Sequence, residues 1–235
     1  SGILIFATVG MILMASSLNL LLIFLGFELL SICLYLLIGA KKDTSASLEA
    51  AIKYLLVGVL SSAFMLYGIA FLFGASGSLD LNEILKHRLS SDNANGFFIV
   101  GISLVIMGLG LRISFIPFHM WASDIYRGAP TPVAAFMLSG VTTATFSVLL
   151  RISSCLPTEF PQQWVNALSA ISILTIIGGN ILAISQNNLK KVLSYSALAH
   201  FGYILVGCSA KVKSVKKGVG MLKLIFTLMN TGLWS

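Results

Sequence analysis

The chain has 235 residues, 57% of them hydrophobic and only 10% charged, and its mean hydropathy is +0.96. A water-soluble domain carries roughly 25% charged residues, so the composition excludes a soluble globular protein. Several apolar runs approach the ~20-residue length of a membrane span, which also excludes a soluble domain on a single anchor. The net charge of +7 lies in short clusters between the apolar runs: Lys41–Lys42, Lys86–Arg88, Lys190–Lys191 and Lys211–Lys217. These read as loops at a membrane surface. Nucleic acid would need a basic face carrying aromatic residues, so no nucleic-acid partner is expected, and the lipid bilayer is.

In chain order, Gly2–Ala15 predicts the tail of a first helix, Ser16–Asn19 a tight polar turn, and Leu20–Gly39 a second helix. Ala50–Gly74 is the third, followed by the polar loop Gly77–Ala94. The fourth, Gly96–Ile116, runs into Pro117. Proline lacks a backbone donor and clashes with the preceding turn, so the helix should break there, with Phe118–Arg127 as a short continuation. Pro132–Ile152 is the fifth span, Trp164–Ser185 the sixth and Leu189–Gly207 the seventh; Gly218–Trp234 begins another. Basic residues fall almost evenly on the two sets of alternate loops, so they do not fix the orientation. Cys33, Cys155 and Cys208 show no CxxC spacing and read as small apolar fillers, not metal ligands. No GxGxxG follows a strand pattern, so no dinucleotide site is expected in this chain.

The sequence repeats itself. "MASSLNLLLIFLGFELLSICLYLLIG" (14–39) aligns with "LAISQNNLKKVLSYSALAHFGYILVG" (182–207) at an offset of 168 (182 − 14). Ser17 meets Ser185, Asn19 meets Asn187, Tyr35 meets Tyr203 and Gly39 meets Gly207. The two Asn residues fall in the turn before a helix, where a short polar side chain caps free N–H groups. With the offset lengthened by two residues, Lys53 meets Lys223 at the start of the next helix. The offset holds five predicted spans, an odd number, so the two copies should cross the membrane upside down to each other, as in transporters with inverted repeats and broken helices.

Few ionisable groups fall inside spans: Glu28, Arg112 and His200, with Lys53 and Lys223 near helix starts. A charge at the bilayer centre costs a few kcal/mol on insertion scales, so it is kept where it faces partners or water. Glu28 lies about eight residues into its helix, roughly 12 Å at 1.5 Å per residue. Its expected partner is Arg112, beside the break, or Lys53. A buried carboxylate beside a cation can hold or release a proton as that cation approaches or withdraws, which makes Glu28, Lys53, Arg112, His200 and Lys223 proton-relay candidates. A structural ion pair between helices is the equal alternative for Glu28. His119 and His200, taken singly, suit hydrogen-bonded packing as well as a relay.

Four segments, "FLGFELLSICLYLLIG", "EAAIKYLLVGVLSSAFMLYGIAFLFG", "GLGLRISFIPFHMWASDIYRGAPTPV" and "NILAISQNNLKKVLSYSALAHFGYILVG", resemble the antiporter-like subunits of respiratory complex I, of the subunit 2 (subunit N) type. The resemblance runs from about Leu4 to Gly232. It implies an all-α polytopic membrane protein of inverted five-helix repeats with a discontinuous helix. Residues 1–153 would be the first repeat and 154–235 the incomplete start of the second. Glu28 then matches the glutamate of the fifth core helix and Lys53 a basic residue near it. Arg112 stands where the family usually has lysine, and Thr142 near a second expected lysine. Lysine can lose its proton when desolvated and arginine effectively cannot, so the resemblance leaves open whether this half conducts protons. The counterpart of Arg112 would fall near position 282 (112 + 170), supplied by a longer chain or by a separate polypeptide.

The implied function is that of a membrane-arm subunit of proton-pumping NADH:quinone oxidoreductase, partnered by other membrane-arm subunits. It would bind no cofactor itself; NAD, FMN, iron–sulfur clusters and quinone would belong to partner subunits. The expected location is the mitochondrial inner membrane or, alternatively, a bacterial plasma membrane. The rival readings are a subunit of a multisubunit cation/proton antiporter or membrane-bound hydrogenase, and a non-conducting structural remnant of such a subunit.

Overall fold

The computed structural model describes residues 2–41, 44–84, 95–155 and 162–209. The expected span Gly218–Trp234, Lys223, and the basic groups Lys86–Arg88 and Lys211–Lys217 lie outside these residues. Among the described residues the chain is helical, with one isolated bridge, Asn19 to Asp80, and no strand. That agrees with the demand that backbone groups in lipid be satisfied within the element. The helices are α1 (Gly2–Ser16), α2 (Leu20–Ile38), α3 (Ser45–Ser76), α4 (Asn95–Ile113), α5 (Ala122–Gly128), α6 (Thr131–Phe136), α7 (Thr142–Cys155), α8 (Gln162–Ile184) and α9 (Leu189–Ser209). A π-helical turn, Met137–Val141, joins α6 to α7.

Among the described residues five spans are long and apolar enough to cross a membrane: Leu20–Ile38, Ser45–Ser76, Gly96–Ile113, Thr131–Ile152 and Asn166–Ile184. Of the seven read from the sequence, α1 is shorter, and α9 opens with Lys190 and Lys191. The third helix starts five residues earlier than read (50 − 45), because Ser45–Glu49 contains neither Pro nor Gly to stop it.

The chain forms two compact units. One comprises Ser1–Leu34, Leu55–Arg112 and Ala144–Pro157; the other comprises Tyr35–Tyr54, Ile113–Thr143 and Thr158–Ser235. In the first, helices approach backbone to backbone through small residues, as packing in lipid requires when burial from water gives no drive. A Cβ on Gly68 would stand 2.7 Å from the Gly101 carbonyl oxygen and the Val105 nitrogen. One on Gly108 would stand 2.8 Å from the Ser61 oxygen, and the Ser61 hydroxyl donates to the Gly108 carbonyl at 2.6 Å. Arg151 donates to the carbonyls of Ser16 and Ser17 at 2.8 and 2.7 Å, closing the C-terminal end of α1. Leu20 N–H donates to Leu79 O at 2.9 Å, and Leu81 N–H to Leu18 O at 3.1 Å, so the segment after α3 supplies partners at the α1–α2 turn.

The helix pairs α1–α2 and α8–α9, each within its own unit, pack by the same contacts. A Cβ on Gly10 would meet Gly26 O at 2.8 Å and Leu30 N at 3.0 Å; one on Gly179 would meet Tyr195 O at 3.1 Å and Ala199 N at 2.7 Å. Every matched position differs by 169 (179 − 10, 195 − 26, 199 − 30). The caps follow the same offset: Asn19 Oδ1 accepts from Leu21 N–H at 2.9 Å, and Asn188 Oδ1 accepts from Lys190 N–H at 3.0 Å. The equivalence of Asn19 with Asn187 is therefore corrected to Asn188. The cap goes to the Asn that directly precedes each helix.

Gly68→Ala and Gly74→Ala separate close packing from helix propensity on one helix, since a Cβ on Gly74 meets nothing within 4 Å. Gly68→Ala is expected to cost about 1–3 kcal/mol through overpacking, whereas Gly74→Ala should be neutral or slightly stabilising. Thermal denaturation of the purified membrane protein checks both.

Candidate functional site

The break in the fourth span begins where the sequence placed it. Helix α4 ends at Ile113, one residue past Arg112, and Ser114 adopts a left-handed conformation with φ 66°. A left-handed residue just after a helix turns the chain out of its path, and Ser is a costlier choice there than Gly. The Ile116–Pro117 peptide is cis, and the chain passes through turns to Trp121 before α5 begins. Backbone groups freed by the break find partners. Ile116 N–H donates to the Thr175 hydroxyl at 3.4 Å, Phe118 N–H to Phe115 O, and Ala122 N–H to His119 O at 3.1 Å.

Arg112 is 5% exposed. Its Nη1 donates to the Ser31 hydroxyl at 2.7 Å, and its guanidinium carbon lies 4.7 Å from the centre of the Phe27 ring. A delocalised cation over an aromatic face is stabilised by the ring quadrupole, most of all where water is excluded. Ser31 is fully buried and donates its own proton to Phe27 O at 2.7 Å, which leaves its lone pairs for Arg112. Glu28, half-buried on the same helix, accepts a hydrogen bond from the Ser62 hydroxyl of α3. Each charge is thus held by a different serine. None of the ion pairs seen among the described residues joins Glu28 to Arg112 or to Lys53. Glu28 and Ser31 are three residues apart on α2 and share a face, which brings the guanidinium within about one turn of the acid.

Lys53, read as the other partner for Glu28, is engaged elsewhere. It pairs with Glu49 at 2.7 Å and with Asp124 of α5 at 3.4 Å; the second Asp124 oxygen takes Lys191 of α9 at 3.5 Å. Tyr195 donates to Ser123 at 3.1 Å beside them. The four charges alternate in sign along a row from Glu49 to Lys191. Glu49, Lys53 and Asp124, with Arg127 and Gly128, line an open cavity of about 350 Å³. In the sequence Lys191 belongs to a basic loop cluster and Glu49 and Asp124 carry no signal of their own; each is a charge near a helix end and looks like ordinary surface.

His200 is half-buried and meets Tyr203 edge to face, ring centres 5.9 Å apart. His119 lies in the turns after the break. Thr142 is buried at the end of the π-helical turn and donates to Leu138 O at 2.6 Å, so its hydroxyl serves its own helix. Such turns often mark functional sites. Among the described residues no three His, Cys, Asp or Glu side chains converge where a metal could sit.

Apolar spans, a helix broken beside a buried arginine and an acid inside a span together define a multi-pass membrane protein of the transporter-like class with a discontinuous helix. The family model described as NADH:quinone oxidoreductase/Mrp antiporter, TM matches residues 17–235, and the chain belongs to that family. It is 42% identical over 232 residues to NADH-quinone oxidoreductase subunit N 1 of Chloroherpeton thalassium, covering 98% of this chain and 49% of that protein. It is similar to a chain of respiratory complex I from Thermus thermophilus with bound aureothin, at a TM-score of 0.80 and 34% identity, over 99% of this chain and 50% of that one. A chain of the Mrp complex from Dietzia sp. DQ12-45-1b shares the fold at a TM-score of 0.88 and 23% identity, over 99% of this chain and 25% of that one. The chain spans about half the length of the curated relatives it matches.

The contacts rank two substitutions. Ser31→Ala removes the acceptor of a buried guanidinium and is expected to cost about 1.5–3 kcal/mol, the range for a hydrogen bond to a charged group. Lys53→Met breaks exposed, salt-screened ion pairs and should cost clearly less. Thermal denaturation of the purified assembly at low and high salt checks the order, and only the Lys53 effect should fade with salt.

Proposed function

We propose that the chain works as a membrane-arm subunit of a proton-pumping NADH:quinone oxidoreductase, coupling quinone reduction to proton movement through buried charge. The observation that carries the reading is the buried Arg112 at the helix break, bonded to Ser31, which stands one turn along α2 from Glu28. Arginine stays protonated in proteins, so Arg112 supplies a fixed positive charge. Glu28, hydrogen-bonded by a hydroxyl that can donate or accept, is the group able to take up and release a proton. Glu28 and Arg112 are the residues this reading relies on; Lys53, His200 and Lys223 remain relay candidates.

NAD, FMN, iron–sulfur clusters and quinone belong, in this reading, to partner subunits, and other membrane-arm subunits are the neighbours. The bacterial relatives favour a bacterial plasma membrane over the mitochondrial inner membrane. The constant offset of 169 between the α1–α2 and α8–α9 contacts supports the division into a five-helix repeat at 1–153 and the start of an inverted second repeat at 154–235. A subunit of a multisubunit cation/proton antiporter is the second reading, favoured by the fold shared with the Mrp chain.

Glu28→Gln in the full-length protein, within its membrane complex, tests the reading. NADH-driven proton uptake is expected to fall severalfold while the complex still assembles. Unchanged uptake would make the chain a structural remnant. Co-purification with cation/proton antiport subunits instead of NADH-oxidising ones would select the second reading.

A further inference from the structure

We propose that Ser62 is the positioning residue for the Glu28 carboxyl group, holding it in one orientation through both of its protonation states. The inference rests on the proton-coupling reading of Glu28 and goes beyond it by naming the group that presents the acid.

Two hydroxyls stand at the two charges, and their chemistry differs. Ser31 has spent its only proton on Phe27 O at 2.7 Å and accepts from Arg112 at 2.7 Å. Both of its contacts are fixed, and its partner does not deprotonate. Ser62 instead aims its proton at a Glu28 oxygen. A hydroxyl rotates to suit its partner: it donates to a carboxylate and accepts from a carboxylic acid. Ser62 can therefore stay bonded to Glu28 whether or not the acid carries a proton, accepting the acid's own O–H as well as donating to its oxygens. In a medium without water to take over the bond, losing it would leave a polar group unsatisfied.

The rigidity of α3 gives that hydroxyl a fixed place. The adjacent Ser61 is fully buried and donates to Gly108 O at 2.6 Å, one turn before Arg112 on α4. Gly68 against Gly101 locks the same two helices further along, with no room for a Cβ. Neighbouring residues on a helix point about 100° apart, so Ser61 faces α4 while Ser62 reaches α2. The Ser61–Ser62 pair thus ties the helix bearing Arg112 to the helix bearing Glu28.

The test uses the full-length protein in its membrane complex, with Ser62→Ala, Ser62→Thr and Ser62→Val, Glu28→Gln, and Ser62→Ala combined with Glu28→Gln. Thr and Val have the same shape and differ by the hydroxyl, so they decide the matter even where Ser62→Ala fails to assemble. The carboxyl vibration of Glu28 is the infrared band lost in Glu28→Gln. That band is expected to be displaced in Ser62→Ala and Ser62→Val and to return in Ser62→Thr. NADH-driven proton uptake should fall about tenfold without the hydroxyl, the lower end for a hydrogen bond to a charged group, and recover with Thr. The double variant should be no worse than Glu28→Gln alone. A band in the same place in Ser62→Thr and Ser62→Val would overturn the proposal. If the band follows the hydroxyl but Glu28→Gln leaves uptake intact, the positioning stands and the proton-coupling reading falls.

Discussion

A guanidinium that cannot lose its proton, buried in a medium without water, is the constraint on which the rest of the site depends. Moving an ion out of water costs several kcal/mol after relaxation unless it is paired and hydrogen-bonded. Around Arg112 the Ser31 hydroxyl and the face of Phe27, both on α2, supply part of that stabilisation. Holding them in place requires α2 and α4 to keep their register, and α3 does this by packing its glycines and Ser61 directly on the α4 backbone. The break begins one residue beyond Arg112, and the backbone N–H groups of Ile116, Phe118 and Ala122 find acceptors there.

The charged groups divide into two kinds. Arg112 and Glu28 lie within helices that are apolar along their length, each held by the hydroxyl of a different serine. Lys53, Glu49, Asp124 and Lys191 form an alternating row beside an open cavity, with side chains 23–65% exposed. Pairs of that kind are weak singly and gain from being a network. Their clearest structural effect is to tie α5, the short helix after the break, to α3 and α9.

Much of the architecture was legible in the sequence because its signals are strong in an apolar chain. Pro117 after a long apolar run marked the break, and a lone arginine in that run marked the site. The repeat was visible through Ser, Asn, Tyr and Gly matches, although its register slipped by one at the paired Asn187–Asn188, where either could cap. The serines were not legible. Ser31 and Ser62 look like any small residue in a span, and only the crossing of α2, α3 and α4 shows which hydroxyl meets which charge. The "SS" in the middle of α3 was the available signal, since two adjacent hydroxyls in an apolar span face different neighbours. The π-helical turn before Thr142 left no trace in the residue pattern.

In the proposed function, Arg112 is the fixed charge that compensates Glu28 across α2 and α4. That compensation is tested most directly by the amount of assembled complex in Arg112→Leu, Glu28→Gln and the double variant. Removing the cation alone strands the acid, and breaking a buried pair from one side costs about 3–5 kcal/mol, more than replacing both partners. The double variant should therefore assemble better than Arg112→Leu. A double variant no better than Arg112→Leu would show that the two charges do not compensate one another.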